Sequence, residues 1–190
     1  MKAIEKIISL IDTFSELSGR SVAWFAVALT ILTGYDTLAR YLFQSGSVAL
    51  QELEWHLFAL LFLLAAAYTL KHDAHVRVDL IYAKLTPRGK GIIDVIGTLF
   101  LLLPFCVLMI ATSWNFAYAS YNIAETSGDP GGLPYRWFLK GAITVGFSML
   151  LLQAISMLLN SLLIIIDPTR EHEEEITDPH ETTVRGVSDV

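Results

Sequence analysis

The eleven residues "LKHDAHVRVDL", Leu70 to Leu80, hold two histidines, two aspartates, a lysine and an arginine. His72, Asp73, His75 and Asp79 are side-chain types that ligate metals or move protons. Their pattern argues against both. "HVRVD" alternates polar and apolar residues, setting His75, Arg77 and Asp79 on one side and Val76, Val78 and Leu80 on the other. An arginine among the ligands repels a metal ion, and the established ligand spacings are absent. The cluster directly follows "LFALLFLLAAAYTL". It therefore reads as the cytoplasmic exit of a membrane helix, held at headgroup level by its charges.

The other candidates for chemistry are sparse. A haem-binding or redox membrane anchor needs axial ligands, usually histidines on facing helices. His56 and His72 lie at opposite ends of one span, about 24 Å apart at 1.5 Å per residue, and no other span holds a histidine, so no cofactor is expected. Cys106, in "LLLPFCVLMI", is the only cysteine. It forms no intramolecular disulfide, and its neighbours favour a buried, inert thiol. Asp36 and Arg40 stand one helical turn apart with the acid first, an arrangement for pairing. Arg40 is also near enough to the span's end to snorkel into headgroups.

Two stripes concern assembly instead. Gly146, Met149, Gln153, Ser156 and Asn160 share one face of the last span, as Ala26, Thr30, Thr33 and Thr37 do on the first. Small and polar residues in lipid tend to face other helices. That predicts packing inside this chain or, at Gln153 and Asn160, contact with a second protein. Pro104 predicts a local distortion in the third span.

Composition supplies the elements that position these residues. Of 190 residues, 54% are hydrophobic and only 17% charged, against about a quarter charged in soluble domains. A hydrocarbon core of about 30 Å needs about 20 apolar helical residues. Four stretches qualify, near 21–43, 48–70, 92–114 and 138–166, within a transmembrane domain 20–166. The second carries Glu52 and Glu54 in its first turn, toward the positive end of the helix dipole. The fold class is thus an all-α integral membrane protein.

Residues 1–19 read as an amphipathic helix, with Ile4, Ile7, Ile8, Ile11, Phe14 and Leu17 on one face. Lys2, Glu5, Lys6, Ser9, Asp12 and Glu16 take the other. It either lies in the membrane interface or extends the first span. A cleaved signal peptide fits poorly, since Asp36 and Arg40 interrupt the apolar run. Residues 167–190 are acidic, poor in aromatics and expected to be disordered. They account for the net charge of −6, so no acidic or basic partner follows, and nothing resembles a nucleic-acid-binding stripe.

Lysine and arginine set orientation. Lys2, Lys6, Arg20, Lys71, Arg77, Lys84, Arg88, Lys90, Arg170 and Arg185 fall on one side, and only Arg40, Arg136 and Lys140 on the other. Both termini are therefore expected in the cytoplasm. Tyr41, Trp55, Trp114, Tyr135 and Trp137 fall near the outer boundary. No string of ionisable groups or broken half-helix suggests a transport site, which points to an accessory subunit.

Taken in order, "DTLARYLF", "QELEWHLFALLFLLAAAYTL", "HVRVDL" and "GGLPYRW" resemble the small four-span, DctQ-type subunit of tripartite ATP-independent periplasmic (TRAP) transporters. The resemblance covers nearly all but the acidic tail. It implies an inner-membrane subunit, not an enzyme, that scaffolds a large multi-span permease subunit. A periplasmic substrate-binding protein delivers an organic acid to that pair, and uptake is typically sodium-driven. Arg40, Glu52, His75, Arg77 and Asp79 match family positions, and the resemblance implies helix anchoring or subunit contact for them. Where the family often has glycine in the second span, this chain has Ala65. A redox anchor and a scaffold for a non-transport complex are the alternatives.

Overall fold

The computed structural model describes residues 2–72 and 85–167. These form α1 (Lys2–Phe43), α2 (Val48–Lys71), α3 (Pro87–Gly97), α4 (Leu103–Asn122) and α5 (Arg136–Ile166), with no strand among the described residues. A π-helical segment, Thr98–Leu102, joins α3 and α4 into one span. Four stretches are long and apolar enough to cross a membrane: Ile4–Phe43, Val48–Lys71, Arg88–Asn122 and Arg136–Ile166. Helix is the form such sequences take in hydrocarbon, because each backbone N–H and C=O must be satisfied within its own segment.

Local chemistry sets the boundaries. The Ser47 hydroxyl caps α2 by accepting from the Leu50 N–H at 3.4 Å, and Thr86 caps α3 through Gly89 N–H at 3.3 Å. The distortion expected at Pro104 takes the form of the π segment just before α4, where proline stands in the first turn. A proline ring crowds the carbonyl four residues earlier, and a wider turn relieves it. Glu52 and Glu54 do not lie in the first turn of α2. The helix starts at Val48, so both sit a turn deeper than expected, beyond the strongest reach of the helix dipole.

Residues 2–19 and the first span are one unbroken helix of 42 residues, about 63 Å long at 1.5 Å per residue. Along its first part Ile7, Phe14 and Leu17 of the apolar face and Lys2, Lys6 and Ser9 of the other are exposed, Ile4, Ile8, Ile11, Asp12 and Glu16 are half-buried, and Ser15 is buried. Asp12 and Ser15 turn toward α5, where Gln153 and Ser156 offer them hydrogen-bonding partners.

α5 is the central helix, packing on α1, α2 and the α3–α4 span, while α1 and α4 share no substantial contact. The small buried core is Leu70, Cys106, Leu150 and Ala154, flanked by Leu103 and Phe147. At Gly146 a Cβ atom would sit 2.8 Å from the Leu63 carbonyl oxygen, so glycine is what lets α2 and α5 approach. Much apolar surface stays uncovered: Trp24, Ile31, Phe62, Phe100 and Leu101 are each at least two-thirds exposed. That surface suits lipid or a membrane partner and would be a liability in water.

The two stripes part company. Gly146, Met149, Gln153 and Ser156 are buried within the chain. Thr30, Thr33 and Thr37 face outward, with the Thr30 hydroxyl turned back to the Ala26 carbonyl at 2.8 Å.

Candidate functional site: two polar layers

The charged and amide side chains gather at the two ends of the bundle. The loop end holds the connections 44–47 and 123–135. The terminal end holds Lys2 and Asp167.

At the loop end, Glu52 is the hub. It is buried, and its carboxylate accepts from Ser127 Oγ at 2.5 Å, the Leu133 N–H at 2.5 Å and Arg136 Nη2 at 2.8 Å. Arg136 also donates to Ser127 Oγ at 3.0 Å and lies over the Trp55 ring, 5.7 Å from its centroid. A Cβ at Gly132 would fall 2.4 Å from Ser127 Oγ and 2.8 Å from Glu52 Oε2, so only glycine lets the loop close on the carboxylate. His56 faces the Glu52 backbone carbonyl through Nδ1 at 2.5 Å. Each Glu52 carboxylate oxygen thus has a donor, which offsets the cost of burying the group.

Two further pairs complete this layer. Asp36, buried, bonds Arg40 one turn on. Arg40 also reaches α2, where the Gln51 amide oxygen, in its hydrogen-bonded orientation, accepts from Nη2 at 2.6 Å. Asp36 Oδ1 and Glu54 Oε1 are buried without a partner among the described residues. Glu125 pairs with Lys140, whose ammonium lies 4.0 Å from the Phe116 ring centroid. The Lys140 ammonium holds the Glu125 carboxyl below its ordinary value of 4.5.

At the terminal end, Asp12 Oδ1 accepts from Gln153 Nε2 at 2.9 Å and Ser156 Oγ at 2.8 Å, while Ser15 donates to Gln153 Oε1 at 2.6 Å. Beside them Glu16 meets Lys71 Nζ at 2.7 Å, His72 Nε2 at 2.8 Å and Arg20 Nε at 2.8 Å. These bonds tie α1 to both α2 and α5. Asn160 lines an adjoining groove of about 650 Å³ with Glu5, Ser9 and Arg20.

The layers are one hydrocarbon thickness apart. Glu52 to Lys71 along α2 is about 28 Å, Glu16 to Asp36 along α1 about 30 Å, and Arg136 to Gln153 along α5 about 26 Å, at 1.5 Å per residue. A bilayer core measures about 30 Å. Between the layers, no described span carries an Asp, Glu, Lys or Arg. What the arrangement does chemically is hold helices in axial register.

Of the residues singled out in the sequence, the structure joins Asp36 with Arg40 and gives Glu52 its own network. Gln153 lies at the other end, bonded within the chain to α1, so its amide is not offered to a second protein. His72, a candidate metal ligand, faces Glu16. Asp73, His75, Arg77 and Asp79 lie outside the described residues. Sequence reasoning did not single out Asp12, Ser15, Ser127 or Arg136 as partners. The available signal was that Gln153 and Ser156 sit on a span's small-residue face and require donors or acceptors opposite them.

Fold and layers together define an all-helical, four-span membrane subunit whose charged groups hold helices in place. The chain belongs to the DctQ component family of the tripartite ATP-independent periplasmic transporters, whose model matches residues 29–163. That family is a transporter component and not an enzyme. Over 108 residues the chain is 34% identical to a Haemophilus influenzae protein named as a TRAP transporter small permease, covering 56% of this chain and 66% of that one. Over 95 residues it is 27% identical to the C4-dicarboxylate TRAP transporter small permease DctQ of Vibrio cholerae, covering 50% and 40%. The matched stretches span less than two thirds of either relative.

Proposed function

We propose that this chain braces a large multi-span permease subunit in the inner membrane, and that a periplasmic binding protein delivers an organic acid to that pair for sodium-coupled uptake. The observation that carries this reading is the confinement of ionisable side chains to two end layers. The hydrocarbon zone between them offers a solute no charged path. The uncovered faces of α1 and α4 supply surface for a membrane neighbour. In this reading both termini and the 167–190 tail are cytoplasmic, the 123–135 loop faces the periplasm, and residues 2–19 prolong the first span inward. Among the described residues no group of His, Cys, Asp and Glu side chains could hold a metal ion. Arg40 and the exposed Thr30, Thr33 and Thr37 lie on the helix that would meet the large subunit.

The test is purification of tagged chain from cells expressing its neighbouring membrane proteins, paired with uptake of labelled organic acids. Co-purification of a larger membrane protein, and loss of uptake when this chain is deleted, are the expected results. A chain that purifies alone, with uptake intact in its absence, overturns the reading. Arg40→Ala should weaken the complex more than it alters the apparent substrate constant. The opposite pattern in proteoliposomes would place Arg40 in the solute path.

A further inference from the structure

Two carboxylate oxygens of the loop-end layer, Asp36 Oδ1 on α1 and Glu54 Oε1 on α2, are buried with no hydrogen-bond partner among the described residues. Buried polar atoms of this kind are rare and call for an explanation. An ionised carboxylate only accepts, so whatever satisfies either oxygen must bring a hydrogen.

The packing of α1 on α2 sets the two acids level with each other. Toward the terminal end Gly19 lies against Tyr68, where a Cβ on the glycine would fall 2.5 Å from the Tyr68 Cβ. Counting outward equally along both helices brings Asp36 opposite Gln51, one helical turn from Glu54. The bond from Arg40 to the Gln51 amide agrees with that register. Glu54 and Tyr68 stand two heptads apart, hence on the same face of α2, the one that meets α1. Asp36 is 3% exposed while its neighbours Tyr35 and Leu38 lie open, so its side chain turns toward the helix that α1 mainly packs on, α2.

The cations of this layer are already committed. Arg40 binds Asp36 and Gln51, Arg136 binds Glu52, and Lys140 binds Glu125. His56 turns Nδ1 to the Glu52 carbonyl. Glu54 is the surplus acid. Two carboxylates at one site repel each other, and a single hydrogen held between them removes that repulsion. An O–H on Glu54 would satisfy Asp36 Oδ1 and leave Arg40 its bond to Oδ2.

We propose that Asp36 and Glu54 bind one proton between them, a carboxyl–carboxylate latch that closes α1 on α2 at the loop end and opens as pH rises. The proton is taken from water and returned to it, and only an O–H bond forms or breaks. Arg40 and Asp36 from α1 and Gln51 from α2 are the polar groups that face Glu54, and no charged side chain of α4 or α5 is bonded to either acid among the described residues. A proton kept by the folded chain and released by the unfolded one makes stability fall as pH rises.

The experiment is infrared difference spectroscopy of the full chain in lipid nanodiscs, titrated from neutral to alkaline pH in H2O and in D2O, beside amide exchange along α1. Wild type should show a protonated-carboxyl C=O band at neutral pH that moves in D2O and vanishes on alkaline titration. Once it vanishes, amides at Thr37–Arg40 should exchange roughly tenfold faster, the effect of losing one such bond. Glu54→Gln should lose the band and keep those amides protected throughout, because its N–H stands where the acid offered O–H. Asp36→Asn tests the same proton from α1 and should lose the band too. A wild-type spectrum without the band overturns the proposal, and so does a band that survives in both variants. Alkaline protection of α1 that depends on added sodium assigns the pair to a cation and overturns it as well.

Discussion

The two polar layers hold the same helices by different plans. At the loop end one carboxylate, Glu52, gathers a hydroxyl, a backbone N–H and a guanidinium from a single stretch of later chain. At the terminal end the bonds are spread over Asp12, Ser15, Gln153 and Ser156, with a second group around Glu16. A hub fails all at once when its centre is lost. A distributed network loses one bond at a time. The difference suits position, since the hub fixes a loop with no helical bonds of its own, whereas the network sets the sliding register of helices that are already formed.

Substituting the hub should produce the largest effect. Glu52→Gln removes the charge that Ser127, Leu133 and Arg136 share, so amide exchange at Leu133 should accelerate by roughly ten- to a hundredfold, the effect of losing a bond to a charged acceptor. Hydrogen exchange in detergent reads this residue by residue. The helical amides of α1 and α2 should stay protected. If they exchange as fast as the loop, Glu52 holds the whole bundle and the contrast between layers disappears.

The network should answer more mildly. Gln153→Ala leaves Asp12 and Ser15 without their amide partner, a loss of about 1–3 kcal/mol in unfolding free energy. A double-mutant cycle with Asp12→Ala should return a coupling of about 0.5–3 kcal/mol. Additive single effects would mean that the bonds between α1 and α5 contribute nothing jointly. Lys71→Ala should cost less, about 0–1 kcal/mol, because Glu16 keeps Arg20 and His72 and the pair is partly open to solvent.

How much of this was written in the sequence follows from the same division. The spans were legible because hydrocarbon tolerates few charges, and Phe43, Val48 and Ile166 mark helix ends close to where the apolar runs stop and start. The third span runs past the expected 114 to Asn122, the end of α4, because polar "NFAYASYN" lowers hydropathy without breaking a helix. Asp36, Arg40 and Glu52 stood out as charges in apolar surroundings. Their partners did not. Ser127 and Leu133 reach Glu52 only through a loop whose left-handed turns at Ala124 and Tyr135 carry no proline or glycine signal at those positions. Asp12 and Gln153 are 141 residues apart, and reading residues 2–19 alone put Asp12 on the polar face without naming what that face would meet. Periodicity shows that a helix has two faces but not which one a distant helix will cover.

The smallest effect sharpens the comparison where the hub meets water. Glu125 pairs with Lys140 at the base of the loop, and that neighbour depresses its carboxyl below 4.5. A carboxylate depressed on folding contributes stability that is present in full above its ordinary value, and loses it as pH falls through the depressed one. Loop protection should therefore hold steady from neutral pH to about that ordinary value and decline only in more acid solution. Glu125→Gln should remove this limb of the profile while leaving the neutral-pH behaviour of Leu133 nearly unchanged, because the Glu52 bonds remain. Amide exchange at Leu133 and Arg136, measured across that range in both proteins, separates the two carboxylates. Should the acid limb persist without Glu125, the titrating group is Glu52 itself, and a single hub would govern both the order of the loop and its response to acid.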